Sequence, residues 1–170
     1  MELGLKGKTV IVTGGGSNIG RAIYLAFVAE GCNTVNAEID EAQGKRVVEE
    51  AKGLSGKALF VKTDVTDWNS VQAMVKKTLD TCGQIDVLVN NVGWVYDRLF
   101  IEKPREEWEK EIKLNYWSFI NCTRAVLDHF IARKAGAVVS VASDAGRMGE
   151  YREAVYAGTK GAIIATSKAI

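Results

Sequence analysis

The chain has 170 residues, enough for about one domain with a sizeable core, and its 47% hydrophobic and 25% charged residues are an ordinary globular composition. Lys+Arg 22 against Asp+Glu 21 leaves a net charge of +1 with the signs interspersed, which gives no electrostatic support to a nucleic-acid or membrane-surface role. No apolar run approaches the ~18 residues a membrane span needs, and Met1-Glu2-Leu3-Gly4-Leu5-Lys6 lacks the apolar core of a signal peptide, so a cytoplasmic protein is expected.

Lys8 to Thr13 is a β-branched run bounded by glycine, the pattern of a short strand buried on both faces. It runs into Gly14-Gly15-Gly16-Ser17-Asn18-Ile19-Gly20, and Arg21 to Glu30 then reads as helix, with Ile23 and Phe27 on the buried side and Gly31 as its stop. Strand, glycine turn and helix in this order aim free backbone N–H groups and a positive helix end at a phosphate. Strict G-x-G-x-x-G is not satisfied. Gly14 and Gly20 with Asn18 between them give a longer turn, and Asn is the non-glycine residue that best tolerates positive φ.

Asn33 to Ala37 is the second strand, ending in Glu38-Ile39-Asp40. An acidic residue here, about 20 residues past the glycine turn, is placed to accept hydrogen bonds from an adenosine ribose. Glu38 fits that place, and its charge would repel a 2′-phosphate, so NAD rather than NADP is expected. Asp40 is read as the cap of the following helix, Glu41 to Ala51.

Ala58 to Thr63 is a third strand, followed by the loop residues Asp64 and Val65. Asp67 caps a helix with Val71, Met74, Val75, Thr78 and Leu79 on its apolar face and Gly83 as its close. Asp86 to Val89 is a fourth strand, ending in Asn90-Asn91-Val92-Gly93, where small and polar residues let a ligand approach backbone closely. Pro104 suits the first position of a long helix, Arg105 to about Arg133, with Trp108, Ile112, Phe119, Val126, Leu127 and Phe130 at helical spacing. Asn115 inside it reads, taken alone, as an ordinary satisfied helix position.

Ala137 to Val141 is a fifth strand, and Ser143-Asp144-Ala145-Gly146 opens the loop before a helix from Glu153 to Ile170. Tyr156 and Lys160 are four apart there, one turn from each other on one face. A tyrosine hydroxyl in isolation titrates near pH ~10, and a neighbouring ammonium favours the phenolate that proton transfer needs. Such a pair also occurs by chance on exposed helices. Ser143 upstream and the glycine turn give it company.

Cys32, Cys82 and Cys122 stand far apart without Cys-x-x-Cys spacing, and His129 is the sole histidine. That inventory suits neither a disulfide framework nor a zinc site, and it leaves a Ser-His or Cys-His nucleophile with one candidate base. The cysteines are read as small buried apolar residues and His129 as a surface imidazole.

Five strands alternating with helices through short loops imply right-handed βαβ units: a single α/β domain over residues 1–170, Rossmann-type, with a doubly wound parallel sheet covered by helices on both faces. Ligands of such sheets sit at the carboxyl ends of the strands, and Glu38, Asp64, Asn90, Ser143 and Tyr156 all fall at those ends or just after them.

The ordered set Thr13-Gly14-x-x-x-Asn18-Ile19-Gly20, Asp64-Val65, Asn90-Asn91-Val92-Gly93, Asn115, Ser143 and Tyr156-x-x-x-Lys160 resembles the short-chain dehydrogenase/reductase family over essentially the whole chain. The resemblance implies that Tyr156 is the general acid/base and that Ser143 hydrogen-bonds the substrate oxygen. Lys160 would hold the nicotinamide ribose and favour the Tyr156 phenolate, while Asn115 would support a water leading protons to solvent. It also implies NAD bound along Gly14, Ser17, Asn18 and Ile19, with Glu38 on the ribose, Asp64 and Val65 beside adenine, and Asn90 and Gly93 beside nicotinamide. The implied reaction interconverts a secondary alcohol and a ketone. Two residues depart from the family pattern: Asn18 stands where glycine is usual and Val92 where alanine is usual, which bears on the pyrophosphate and adenosine contacts.

Gly93-Trp94 and the run Ala142 to Gly149 with Glu153-Ala154-Val155-Tyr156 are similar to family members that oxidise 3-hydroxyacyl-CoA esters in aromatic and alicyclic acid degradation. These include 2-hydroxycyclohexanecarboxyl-CoA and 2-(α-hydroxybenzyl)succinyl-CoA dehydrogenases. That likeness implies a CoA ester substrate, for which Trp94, Tyr96 and Arg147 would line an aromatic, anionic site; plain core packing is the other reading of Trp94. Two alternatives stand beside it: a 3-oxoacyl reductase of fatty-acid type, which usually prefers NADPH, and a catalytically silent subunit of a heteromeric dehydrogenase. The family resemblance further implies a dimer or tetramer, of like or unlike subunits, joined through the helices Arg105–Arg133 and Glu153–Ile170. The family is longer than this chain, so the later strands and the loop that closes over substrate are expected beyond Ile170, and a fragment ending there is expected not to turn over substrate.

Overall fold

The computed structural model describes residues 3–170; Met1 and Glu2, where the segment read as lacking a leader begins, lie outside the described residues. Five strands, β1 (Thr9–Thr13), β2 (Asn33–Glu38), β3 (Lys57–Lys62), β4 (Val87–Asn90) and β5 (Ala137–Ser140), form one parallel sheet in the order β3-β2-β1-β4-β5. The helices are α1 (Asn18–Ala29), α2 (Glu41–Glu50), α3 (Trp68–Cys82), α4 (Arg105–Ile112), α5 (Ser118–Arg133), α6 (Ala145–Met148) and α7 (Ala154–Ala169). No helix of the described residues is long and apolar enough to cross a membrane.

Period-two alternation along β1 divides the core between the two faces of the sheet. Ile11 packs with Val71, Met74, Cys122 and Val126 under α3 and α5, while Val10 and Val12 pack with Tyr24, Val28 and Val47 under α1 and α2. The chain leaves β1 toward β2 and later re-enters beside β1 as β4. The strand order therefore reverses between β1 and β4, and that reversal opens a crevice at their carboxyl ends.

Several expectations shift at the level of individual residues. The buried stripe of α1 runs through Tyr24 and Val28, with Ile23 and Phe27 only half-buried beside it. Pro104 is the N-cap of α4, one position before the helix proper. The expected long helix is one rod interrupted by a π-helical turn, Lys113–Trp117, in which the Ser118 N–H donates to the Lys113 carbonyl. Ile112 lies exposed on this rod, and the inward position is taken by Glu111. His129 is half-buried, its Nε2 accepting the Ile85 N–H at 3.1 Å. Cys32 and Cys122 are buried, as small apolar residues, while Cys82 is half-buried. Asp40 and Asp67 do cap α2 and α3, accepting the Gln43 N–H and the Asn69 and Ser70 N–H groups respectively.

Candidate active site

The glycine turn is held by collisions that any side chain would make. Gly14 has φ +65°, and a Cβ there would lie 2.9 Å from Val92 Cγ2; a Cβ on Gly20 would strike the Gly14 carbonyl oxygen as α1 leaves the sheet. Asn18 takes φ 45°, so the residue that departs from the family's glycine is one that still reaches the left-handed region. Ser17, the N-cap of α1, makes no side-chain cap bond, and the first turn of α1 has no acidic residue. Its positive end and backbone N–H groups are therefore left for an anion from outside.

A cleft of about 380 Å³ opens at this helix end, lined by Gly14, Ser17, Asn18 and Ile19 on one side and by Glu38, Asp64 and Val65 on the other. The Glu38 carboxylate is fixed at the rim: Oε2 accepts the Gly16 N–H at 3.0 Å, and Oε1 accepts the Ile39 and Asp40 N–H groups at 2.8 and 3.0 Å. Asp64 is held by Thr66, whose N–H and hydroxyl both donate to its Oδ1. Asn90 does not line the cleft. It is buried behind it, where Nδ2 donates to Thr123 Oγ1 at 3.0 Å.

The inner end of the cleft is Gly93. A Cβ on Gly93 would lie 3.0 Å from Asn115 Oδ1 and 3.2 Å from Lys160 Nζ, so the missing side chain is the space that separates the cleft from these two groups. Asn115 sits in the π-helical turn and clamps the next residue, its Oδ1 accepting the Trp94 N–H at 3.0 Å and its Nδ2 donating to the Trp94 carbonyl at 2.7 Å. Lys160 Nζ donates to the Val141 carbonyl at 2.8 Å and stands 5.6 Å from the centroid of the Tyr156 ring, one turn earlier on α7. Burial pushes the Lys160 ammonium below its ordinary range.

Ser143 follows Val141 at the end of β5, and its Oγ accepts the Ala145 N–H at 3.2 Å. The loop is pressed onto α7 because Gly146 and Gly161 meet without side chains: a Cβ on Gly146 would lie 2.6 Å from the Gly161 nitrogen and 2.9 Å from Lys160 Cβ. Asn115 and Lys160 thus meet at Gly93, with Tyr156 one turn before Lys160 on α7 and the loop that carries Ser143 packed against α7 through Gly146. Asn115, Ser143, Tyr156 and Lys160 are not themselves part of the cleft wall.

Asn91, unmarked in the sequence beyond its doublet with Asn90, joins the two sides of the crevice. Its N–H donates to Thr13 Oγ1 at 3.0 Å, and its Nδ2 donates to the Thr13 and Gly14 carbonyls at 3.0 and 3.2 Å. The Val141 carbonyl, the acceptor that holds Lys160, carries no side-chain signal at all. The matched glycines 146 and 161 were the available clue to the loop's close approach to α7.

The family model for short chain dehydrogenase matches residues 8–170, which spans all of the elements just described. The chain belongs to the short-chain dehydrogenase family. It is 38% identical to an uncharacterized oxidoreductase of Thermotoga maritima over 166 residues, covering 98% of this chain and 65% of that protein. It is 34% identical to 3-oxoacyl-[acyl-carrier-protein] reductase FabG of Chlamydia pneumoniae over 170 residues, covering 100% of this chain and 68% of the reductase. The crystal structure of NAD+-bound xylitol dehydrogenase superposes with a TM-score of 0.94 at 28% identity, over 97% of this chain and 64% of that one. The chain therefore spans about two thirds of the length of the relatives it matches.

Proposed function

We propose that the protein of this short-chain dehydrogenase chain is an NAD-dependent oxidoreductase that interconverts a secondary alcohol and a ketone. The carrying observation is the position of Lys160 Nζ: anchored by the Val141 carbonyl, beside Gly93 at the inner end of the cleft, one turn from Tyr156. The cleft suits a dinucleotide. An uncapped helix end meets the pyrophosphate, Glu38 the adenosine ribose, and the space left by Gly93 admits a ring next to Lys160.

NAD, when bound, supplies the acceptor of the two electrons that leave the alcohol carbon. Tyr156 takes the hydroxyl proton of an alcohol, or returns it to a ketone oxygen in the reverse direction. Ser143 Oγ donates to the same oxygen and fixes the face presented to Tyr156. Lys160, its ammonium 5.6 Å from the centroid of the phenol ring, meets the ribose hydroxyls. Asn115 holds Trp94 and Gly93 in place and supports a water through which the proton reaches solvent.

The substrate is read as a 3-hydroxyacyl or 3-oxoacyl thioester. The similarity to 3-oxoacyl-[acyl-carrier-protein] reductases supports the thioester, and the pairing of Trp94 with Tyr96, ring centroids 5.7 Å apart, supports an aromatic or alicyclic acyl group. Arg147 pairs instead with Asp144 on the solvent side. Glu38 favours NAD over NADP, against the fatty-acid reductase as a close functional match. A panel of 3-hydroxyacyl-CoA esters and simple secondary alcohols, each with NAD and with NADP, given to the full-length protein, tests the reading. NAD-dependent oxidation of the esters is expected, and turnover of none of the panel would overturn it in favour of a silent subunit.

A further inference from the structure

Lys103 and Glu111 form an ion pair with 2% and 0% side-chain exposure, their Nζ and Oε1 2.6 Å apart. Burying two charges is a poor route to stability, because the lost hydration offsets the attraction and an apolar pair of similar volume does as well. This pair has a second duty. The same Glu111 Oε1 accepts the Tyr96 N–H at 3.0 Å, and Lys103 fixes the carboxylate in that pose while Oε2 has no partner. One turn on, Asn115 grips both backbone groups of Trp94 and donates to the Glu111 carbonyl at 2.8 Å.

Glu111 and Asn115 thus hang the segment Gly93–Tyr96 on one face of the helical rod, with Gly93 against Lys160 at its near end. At its far end Asp97 pairs with Arg152, and the Arg98 N–H donates to the Arg152 carbonyl at 3.2 Å, four residues before Tyr156. The segment is strung alongside the start of α7, and its two aromatic rings carry cations over their faces: Lys110 Nζ at 4.2 Å from the Trp94 centroid and Arg98 at 4.8 Å from that of Tyr96.

We infer that Lys103 and Glu111 are positioning residues, a buried pair that sets the height of the Trp94–Tyr96 segment relative to Tyr156 and Lys160 and so the affinity for the acyl part of the substrate. The inference rests on the dehydrogenase reading for its kinetic consequence and on the backbone geometry alone for its structural one. Lys103 acts only through Glu111, and neither side chain reaches the cleft.

The test is a pair of double variants in the intact enzyme. Lys103→Met with Glu111→Leu removes both charges and the acceptor while keeping the volume; Lys103→Met with Glu111→Gln removes the charges and keeps an acceptor for the Tyr96 N–H. The leucine variant should melt within a few degrees of wild type and bind NAD unchanged. Its substrate KM should rise roughly 10-fold with kcat little altered, and its Tyr96 amide should exchange roughly 10-fold faster. The glutamine variant should recover most of both. An unchanged KM and exchange rate in the leucine variant, or equal impairment of the two variants, overturns the inference. Exchange of wild-type Tyr96 as fast as its neighbours Val95 and Asp97 overturns it without any variant. A wild type that oxidises no alcohol sinks the dehydrogenase reading, while the amide exchange still decides what Glu111 holds.

Discussion

At the amino ends of β1 and β4 the charge of Asp86 is enclosed by partners, whereas at the carboxyl ends of the same sheet the charge of Lys160 is buried against a carbonyl. Asp86 accepts from the Thr9 N–H at 2.8 Å, from Gln84 Nε2 at 2.9 Å and from Arg133 Nη2 at 3.0 Å, with Lys8 Nζ 3.9 Å away. Arg133 also donates to the Ile85 carbonyl, and His129 accepts the Ile85 N–H, so α5 grips the two residues just before β4, Ile85 and Asp86. Burial pushes the Asp86 carboxyl up, but the Thr9 N–H and the Arg133 guanidinium more than reverse this and hold it below its ordinary range. Lys160 has burial as its shifting influence, with no carboxylate to reverse it. The fold favours the charge of Asp86 and disfavours that of Lys160. One end of the sheet is closed and serves stability; the other is kept short of partners, and that shortage is what a ligand can fill.

The sharpest way to break this comparison is at Tyr156. Tyr156→Phe removes one hydroxyl at the open end and should lower kcat by about 10³-fold, the middle of what a positioned acid/base contributes, with the melting temperature unmoved. Initial rates with NAD and a thermal melt check both halves; retained turnover would remove the proton-transfer role from Tyr156.

Asp86→Ala is the counterpart at the closed end. It strands Arg133 and the Thr9 N–H, and should destabilise by about 3 kcal/mol in urea unfolding while leaving NAD affinity unchanged. The folded carboxyl is depressed below its unfolded value, so its contribution is full above the unfolded carboxylate pKa and is lost as pH falls through the folded one. The difference between wild type and variant should therefore shrink in acid.

The sequence made the open end easier to read than the closed one, for a physical reason. Glycines at 14, 20 and 93, the acid that ends β2 and the Tyr156–Lys160 spacing are local patterns, each within one turn or one strand end. Glycine turns and strand runs likewise gave the strand order's ingredients, and the alternating core of β1 followed from Val10, Ile11 and Val12. Glu111 was opaque because a charged residue on a helix reads as solvent-facing until Lys103 is seen beside it. Asn115 looked ordinary because a π-helical turn leaves no residue signature, and the Asp86 cluster joins residues 77 and 47 positions apart. Asn90, at the strand end where the cleft was expected, faces Thr123 because the neighbouring Asn91 takes the outward position.

Glu38 sharpens the comparison from the cofactor side. Glu38→Ser removes the fixed carboxylate from the rim and should weaken NAD binding about 10-fold, the value of a hydrogen bond to a charged group, while NADP binding improves. Calorimetric titration with each dinucleotide reads the ratio directly. An unaltered preference would mean that the cleft's selectivity lies elsewhere than in the charge at the end of β2.

The smallest effect expected is the most specific to the open end. Lys160→Met removes a buried ammonium that the fold disfavours, while the lost bond to Val141 offsets part of the gain, so stability at neutral pH should rise by about 1 kcal/mol or less even as turnover disappears. The pH dependence separates this from simple repacking. The folded ammonium titrates below its unfolded value of 10.5, so between those two values the unfolded chain binds more protons than the folded one. Raising pH through that window relieves a penalty in wild type that the methionine variant never carried. The stability advantage of Lys160→Met should accordingly close in alkali, whereas the disadvantage of Asp86→Ala closes in acid. A methionine variant whose advantage stays constant with pH would show that Lys160 is not held against the preference of the fold.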